Sequence, residues 1–366
     1  MRIGVCVRTW GEKGGIGVYS RSLLEAMIPM EPRHHYCLFF QDGRHLGRFS
    51  GHENVTEIHV PAPDKWSWDQ VAVPYRAARE KVDVIFHTKF AVPLFTRRRT
   101  VMVLHGSERF VYPQFSTRTD ILFFRTVYPF YLRRATAIIS VSENARRDII
   151  RFLGIDPEKI KTIHLAPSEG FRRIEDRSVL EDVRRKYSLP ERFILNVGLI
   201  YPGKNIPNLL RALKLVRRQE DVRLVIAGTG KRMYRREMAL IHDLGLDGAV
   251  VLPGYVPHED LVGVYNLAGA VAFPSFYESF PAIPLEANAS GCPVVISRTG
   301  GSSEAAGDAA RYVDPLDVDG MARAILEVLT DSTLREDLIR KGFENVKRFS
   351  WPKTARQTLD VLESLT

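Results

Sequence analysis

Residues 270–296, AVAFPSFYESFPAIPLEANASGCPVVI, decide the fold. An apolar run from Ala270 to Phe273 passes through a loop into a short helix that ends at Gly291. A second apolar run, Pro293 to Ile296, follows. Glycine suits the left-handed residue that closes a helix. Continuous apolar runs, not alternating ones, mark strands buried on both faces, and hence a parallel sheet covered by helices.

Working outward, the same pattern recurs along most of the chain. Before it come Phe193 to Val197, Val222 to Ala227 and Val250 to Leu252. An earlier series runs through Ile3 to Val7, Tyr36 to Phe40, Val55 to Val60, Val82 to His87, Val101 to His105 and Ala137 to Val141. Between the two series lies Ala166 to Arg177, a polar stretch with Pro, Gly and mixed charge that reads as a linker. The 366 residues exceed what one hydrophobic core commonly supports. Two doubly wound α/β domains are expected, over 1–170 and 171–351. A C-terminal helix over 352–366, introduced by Ser350 as N-cap, is expected to return to the first.

Charged residues make up 26% of the chain and hydrophobic ones 45%, which suits a soluble globular protein. The N-terminus has no apolar run long enough for a signal-peptide core, and no segment approaches the roughly 18 apolar residues of a membrane span, so a cytoplasmic location is expected. Cys6, Cys37 and Cys292 lie in or beside apolar runs without a CxxC pair, and read as buried thiols. No His/Asp cluster has metal-ligand spacing, so neither metal nor cofactor is expected. The net charge of +9 is uneven: residues 1–175 hold 27 Lys+Arg against 18 Asp+Glu, and the remainder holds 25 of each.

In open α/β sheets ligands gather at the carboxyl ends of strands, so the loops there carry the chemistry. Glu278 lies in such a loop, and Glu286 falls in the first turn of the helix after it. An acid there is favoured by the helix dipole by about 0.3–1 kcal/mol, which is a sufficient structural reason for Glu286 taken alone. Together, Glu278-Ser-Phe-Pro-Ala-Ile-Pro-Leu-Glu286 and the following Ala287-Asn-Ala-Ser-Gly291 resemble the E-x7-E signature of retaining, GT-B-fold glycosyltransferases of family 4. Gly14-Gly-Ile-Gly-Val-Tyr19 is similar to that family's N-terminal glycine loop, and Asn196 to Asn205 to its diphosphate-binding loop. Ile138 to Glu143, Gly300 to Glu304 and Phe349 to Trp351 match further motifs in order.

The resemblance implies two Rossmann-like domains facing across a cleft and a nucleotide-sugar donor. It implies that Glu286 accepts hydrogen bonds from the donor ribose, that Glu278 contacts the transferred sugar, and that Lys204 neutralises the diphosphate. Gly15 and Gly17 would let backbone amides approach phosphate, and His105 would stand near the donor sugar. Gly198, Ser279 and Phe280 join the donor set by their places in these motifs. Taken singly, the glycines also suit a plain strand-to-helix turn, His105 a hydrogen-bonded strand end, and Lys204 a solvated loop. Gly228-Thr-Gly230 is too short for a dinucleotide fingerprint, which removes a dehydrogenase.

Three positions depart from the family pattern: Leu199 and Gly203 stand where basic residues are common, and Pro281 where Gly is common. Lys231 and Arg232 are candidates to compensate. Between residues 94 and 134, eight arginines and nine aromatics alternate against Glu108 and Asp120 alone. That mixture suits an anionic membrane surface or a helix with aromatics inward, and a lipid-linked saccharide acceptor favours the membrane over nucleic acid. Transfer of a hexose to a glycan or lipid-linked acceptor is expected, with GDP-mannose the first donor and UDP-sugars the second. A non-catalytic sugar-nucleotide-binding protein and a glycoside hydrolase are the rival readings.

Overall fold

The computed structural model describes residues 1–12, 14–230 and 234–365. It consists of two compact units, Met1–Ala166 with Phe349–Thr366, and Pro167–Arg348. Both divisions come a few residues before the expected 170/171 and 351/352. Side-chain contacts explain why. Ser168 already bonds to Glu286 within the second unit, while Phe349 already packs edge-on against His164 of the first, 5.9 Å between ring centres.

The first unit contains β1 (Arg2–Cys6), β2 (His35–Phe40), β3 (Val55–His59), β4 (Val84–His87), β5 (Arg99–Leu104), β6 (Ala137–Ser140) and β7 (Ile160–Thr162). They form a parallel sheet in the order β3-β2-β1-β4-β5-β6-β7. In the second unit, β8 (Phe193–Val197), β9 (Arg223–Ala227), β10 (Val250–Gly254), β11 (Ala270–Phe273), β12 (Val294–Ser297) and β13 (Arg311–Val313) form another, ordered β10-β9-β8-β11-β12-β13. β7 and β13 were not foreseen. Each lies at a sheet edge and reads Ile-Lys-Thr or Arg-Tyr-Val, so the apolar run that betrays a central strand is missing.

Successive residues of the central strands serve opposite layers. Ile194, Leu224, Ala272 and Val295 face helices Ile206–Val216 and Val318–Thr330, packing on Leu209, Leu213, Met321 and Ile325. Phe193, Leu195, Val271, Phe273 and Val294 face the other way, onto Val264 and Tyr265 of helix His258–Leu267. This two-sided burial is why the sequence shows unbroken Val/Ile/Leu/Phe runs. In both sheets the strand order reverses at the centre, between β1 and β4 and between β8 and β11. The carboxyl ends at such a reversal leave an opening that helices cannot fill.

Helix Trp351–Glu363 belongs to the first unit. The Ser350 hydroxyl caps it by accepting from the Lys353 amide at 3.3 Å, Thr354 donates to the His164 carbonyl at 2.9 Å, and Trp351 meets Tyr19 edge-on. Tyr19 lies on helix Gly15–Met30, the first helix after β1. A Cβ at Gly17 would lie 1.9 Å from the Glu12 carbonyl oxygen, whereas one at Gly15 would meet nothing within 4 Å. Gly17→Ala is therefore expected to destabilise the unit by about 1–3 kcal/mol, read as a lower melting temperature, while Gly15→Ala leaves it unchanged or raised. Equal melting of the two variants would show that the loop yields freely.

Candidate active site

The second unit's reversal point is built from the loops that follow β8 and β11. Gly198 leaves β8 at φ +126°, and its amide donates to the Ala227 carbonyl at 3.0 Å. The approach is so close that a Cβ at Gly228 would lie 1.8 Å from the Gly198 oxygen. A short 3₁₀ turn, Pro202–Lys204, follows, and Asn205 adopts a left-handed conformation at φ +58°. Asn205 Nδ2 then donates to the Pro274 carbonyl at 3.1 Å and the Pro315 carbonyl at 2.6 Å, and the Phe276 amide donates to Gly203 at 2.9 Å. These bonds join the two loops across the reversal.

Their joining brings Lys204 and Glu278 together. Lys204 Nζ donates to Glu278 Oε1 at 2.6 Å and stands 4.5 Å over the Phe273 ring and 5.7 Å from the Tyr201 ring. The two side chains are only 13% and 14% exposed, so water screens the pair weakly. Glu278 is held from behind as well. The Gly301 amide donates to its carbonyl at 2.7 Å, and a Cβ on Gly300, at φ +55°, would lie 2.1 Å from that oxygen.

Glu286 has a different environment. It lies in the first turn of helix Ile283–Ala289, buried, with Oε2 accepting from the Tyr265 hydroxyl at 3.0 Å and Oε1 from the Ser168 hydroxyl at 3.3 Å. Burial pushes its carboxyl above the usual range, opposed by these two hydrogen bonds and by nearby His258. Ser279 is partly exposed, whereas Phe280 and Pro281 are buried. Lys231 and Arg232 lie outside the described residues.

In the first unit, Gly15 opens helix Gly15–Met30 on the surface, where backbone amides have no acceptor within the helix. The Gly17 amide, in contrast, already donates to the Gly14 carbonyl at 2.9 Å. His105 follows β5, half-buried, with its Nε2–H donating to the Thr88 carbonyl at 2.7 Å and its ring edge-on to Tyr19. Burial lowers its pKa to about 4, against the pull of the Thr88 bond in the other direction. With Nε2 protonated, the neutral ring presents Nδ1 as an acceptor.

Comparisons with known proteins agree with this geometry. The family described as Glycosyl transferases group 1 matches residues 181–345, and Glycosyltransferase Family 4 matches 13–166. O-antigen chain mannosyltransferase B of Escherichia coli is 31% identical over 293 residues, 79% of this chain and 76% of that one. The chain belongs to the group 1 glycosyltransferases.

Solved structures agree on the fold. Sucrose-phosphate synthase from Thermosynechococcus elongatus superposes with a TM-score of 0.79 over 100% of this chain and 99% of its own, at 20% identity. Anabaena Alr3699/HepE in complex with UDP-glucose gives 0.77 over 100% of both chains, at 19% identity. The two units of this glycosyltransferase are thus the two Rossmann-like domains of a GT-B protein.

The departures from the family pattern have local physical counterparts. A Cβ at Gly203 would lie 2.5 Å from the Tyr201 ring, so a basic side chain there requires that ring to move. Leu199 projects into solvent, 63% exposed. Sequence reading missed Tyr265 and Ser168 as partners of Glu286. Neither carries a local signal: one sits inside an amphipathic helix, the other at the start of the linker.

For this glycosyltransferase, the His105 imidazole is expected to stay neutral down to about pH 5 and to titrate near 4 in an NMR titration. Its folded value lies below the unfolded value of about 6.5, so the unfolded chain binds the proton first. The stability difference is therefore absent above about pH 6.5 and becomes a loss as pH falls towards the folded value. A midpoint above 6 would show that the ring is solvated.

Proposed function

We propose that this glycosyltransferase moves a hexose, mannose first among them, from a nucleotide-diphosphate sugar to a hydroxyl of a glycan or lipid-linked saccharide. The transfer proceeds with retention of anomeric configuration, in cell-surface polysaccharide synthesis. The observation that carries the reading is Lys204 Nζ, held at the β8/β11 reversal against Glu278 at 2.6 Å. A partly buried ammonium at that place meets the charge that grows on the diphosphate as the glycosidic bond breaks. Because the ammonium is fixed beforehand by two rings and a carboxylate, little reorganisation is needed when that charge appears. Glu278 then turns to the hydroxyls of the transferred sugar, and Glu286 to those of the ribose.

Support for the donor and pathway comes from the relatives. The Escherichia coli relative is named as an O-antigen chain mannosyltransferase, and the Anabaena structure contains UDP-glucose. GDP-mannose is the first donor on this reading, with Lys204 supplying the positive charge and no metal required. His105, neutral and fixed by Thr88, offers an acceptor to a sugar hydroxyl and does not serve as a general acid at neutral pH. Lys204→Ala is expected to lower kcat for the best donor by about 10²–10³-fold, measured by release of nucleoside diphosphate. Unchanged kcat would remove Lys204 from the mechanism.

We also infer that the first unit works against an anionic membrane at the cytoplasmic face. Most rings of residues 94–134 pack inward: Phe124, Tyr128 and Tyr131 belong to the core. Phe95, Leu122 and Phe130 remain 92%, 63% and 60% exposed, beside the exposed Arg97, Arg118, Arg125 and Arg133. Arg134 fastens this surface by donating to the carbonyls of Leu94, at 3.1 Å, and Thr96. Among the described residues no helix is long and apolar enough to cross a membrane. Contact with the surface is therefore peripheral on this reading, made by three apolar side chains and four arginines. Cosedimentation with phosphatidylglycerol vesicles is expected at low salt and is expected to weaken in a Phe95→Ser/Phe130→Ser double variant. Indifference of the unaltered protein to those vesicles would end the membrane reading.

A further inference from the structure

We infer that Ser168 and Tyr265 are positioning residues that aim Glu286 and thereby set the enzyme's preference for ribose over 2′-deoxyribose in the donor. The inference rests on the proposed nucleotide-sugar reading and adds to it the means by which the sugar of the nucleotide is recognised.

Glu286 lies nine-tenths buried, and each of its oxygens accepts one hydroxyl: Oε2 from Tyr265 at 3.0 Å, Oε1 from Ser168 at 3.3 Å. Burial pushes the Tyr265 phenol far above its ordinary value, so it remains protonated and donates to the carboxylate. A carboxylate oxygen has two lone-pair sites, so each Glu286 oxygen retains one for a further hydroxyl. Two remaining acceptor sites on one fixed carboxylate match the neighbouring 2′- and 3′-hydroxyls of a ribose. A carboxylate free to rotate would adapt to one hydroxyl and discriminate less.

Tyr265 is fixed because its ring is fully buried in helix His258–Leu267. Ser168 belongs to an irregular segment, yet that segment is laced to the same helix along its length. His258 Nε2–H donates to the Glu169 carbonyl at 2.6 Å, and Phe171 packs edge-on against both His258 and Tyr265 at 4.7 and 5.4 Å. Asn266 donates to the Arg172 carbonyl at 2.9 Å and accepts from the Ile174 amide at 2.8 Å. Gly170, at φ +93°, permits the turn between Ser168 and Phe171. Residues 168–174 thus place a hydroxyl on Glu286 from outside the helix that carries Tyr265. The first residues of the second unit are part of its donor site.

The test is calorimetry on the full chain with GDP, 2′-deoxy-GDP, UDP and 2′-deoxy-UDP. For the preferred base, the unaltered protein is expected to bind the ribonucleotide about ten- to hundredfold more tightly than its deoxy form. Ser168→Ala and Tyr265→Phe are each expected to cut that ratio by about fivefold, chiefly by weakening the ribonucleotide, and Ser168→Thr to restore it. A merely structural role would weaken both forms together and leave the ratio intact, and that result overturns the inference. Equal binding of both forms by the unaltered protein overturns it too, while leaving the donor reading standing. Absence of binding to all four nucleotides overturns the donor reading and the inference together. Should Tyr265→Phe melt well below the unaltered protein, the Ser168→Ala and Ser168→Thr pair decides the matter alone.

Discussion

A parallel sheet buried on both faces has little room for polar chemistry except where its strands end. In the second unit that constraint meets the reversal between β8 and β11, and the result is one short ion pair, Lys204 to Glu278 at 2.6 Å. Neither partner could be held so on a loop alone. Lys204 is fixed because Asn205, in a left-handed conformation, fastens its loop to the carbonyls of Pro274 and Pro315. Glu278 is fixed because Gly300 and Gly301 press against its carbonyl. Breaking such a partly buried pair from one side leaves an uncompensated charge, so the loops and the pair support one another.

The second carboxylate shows how the same sheet can prepare an acid differently. Glu286 accepts from two hydroxyls, of Tyr265 and Ser168, and among the described residues no cation is bonded to it. Its pKa is raised by burial, whereas Glu278 is matched by an ammonium. The contrast suits two tasks. On the proposed reading, the charge-paired carboxylate stands beside the centre where charge changes during transfer, while the hydroxyl-bonded one reads hydroxyls that do not react. Hydrogen bonds from neutral donors orient a carboxylate without cancelling its charge, which leaves it able to accept more.

The first unit has a parallel sheet of its own and carries the chain's excess of positive charge. Its arginines fall into two groups. Arg109 lies over the Phe124 ring beside Glu108, and Arg134 holds backbone carbonyls, so both serve the fold. Arg97, Arg118, Arg125 and Arg133 remain exposed around apolar side chains that the core leaves out. Composition marks the excess of positive charge in this half of the chain, but packing alone separates structural arginines from exposed ones.

The sequence by itself determined the parallel α/β architecture, because strands buried on both faces must be written as unbroken apolar runs. It also placed Lys204 and Glu278 in the connections after β8 and β11 and Glu286 in the first turn of the helix that follows, which is where the structure has them. It was silent on β7 and β13, whose edge positions remove the need for an apolar run. The aim of Glu286 by Ser168 and Tyr265 was decided only by tertiary structure. Both hydroxyls reach Glu286 through space, from 118 and 21 residues away along the chain. Local pattern records what a residue's own strand or helix demands; a hydrogen bond between distant segments leaves no period to read.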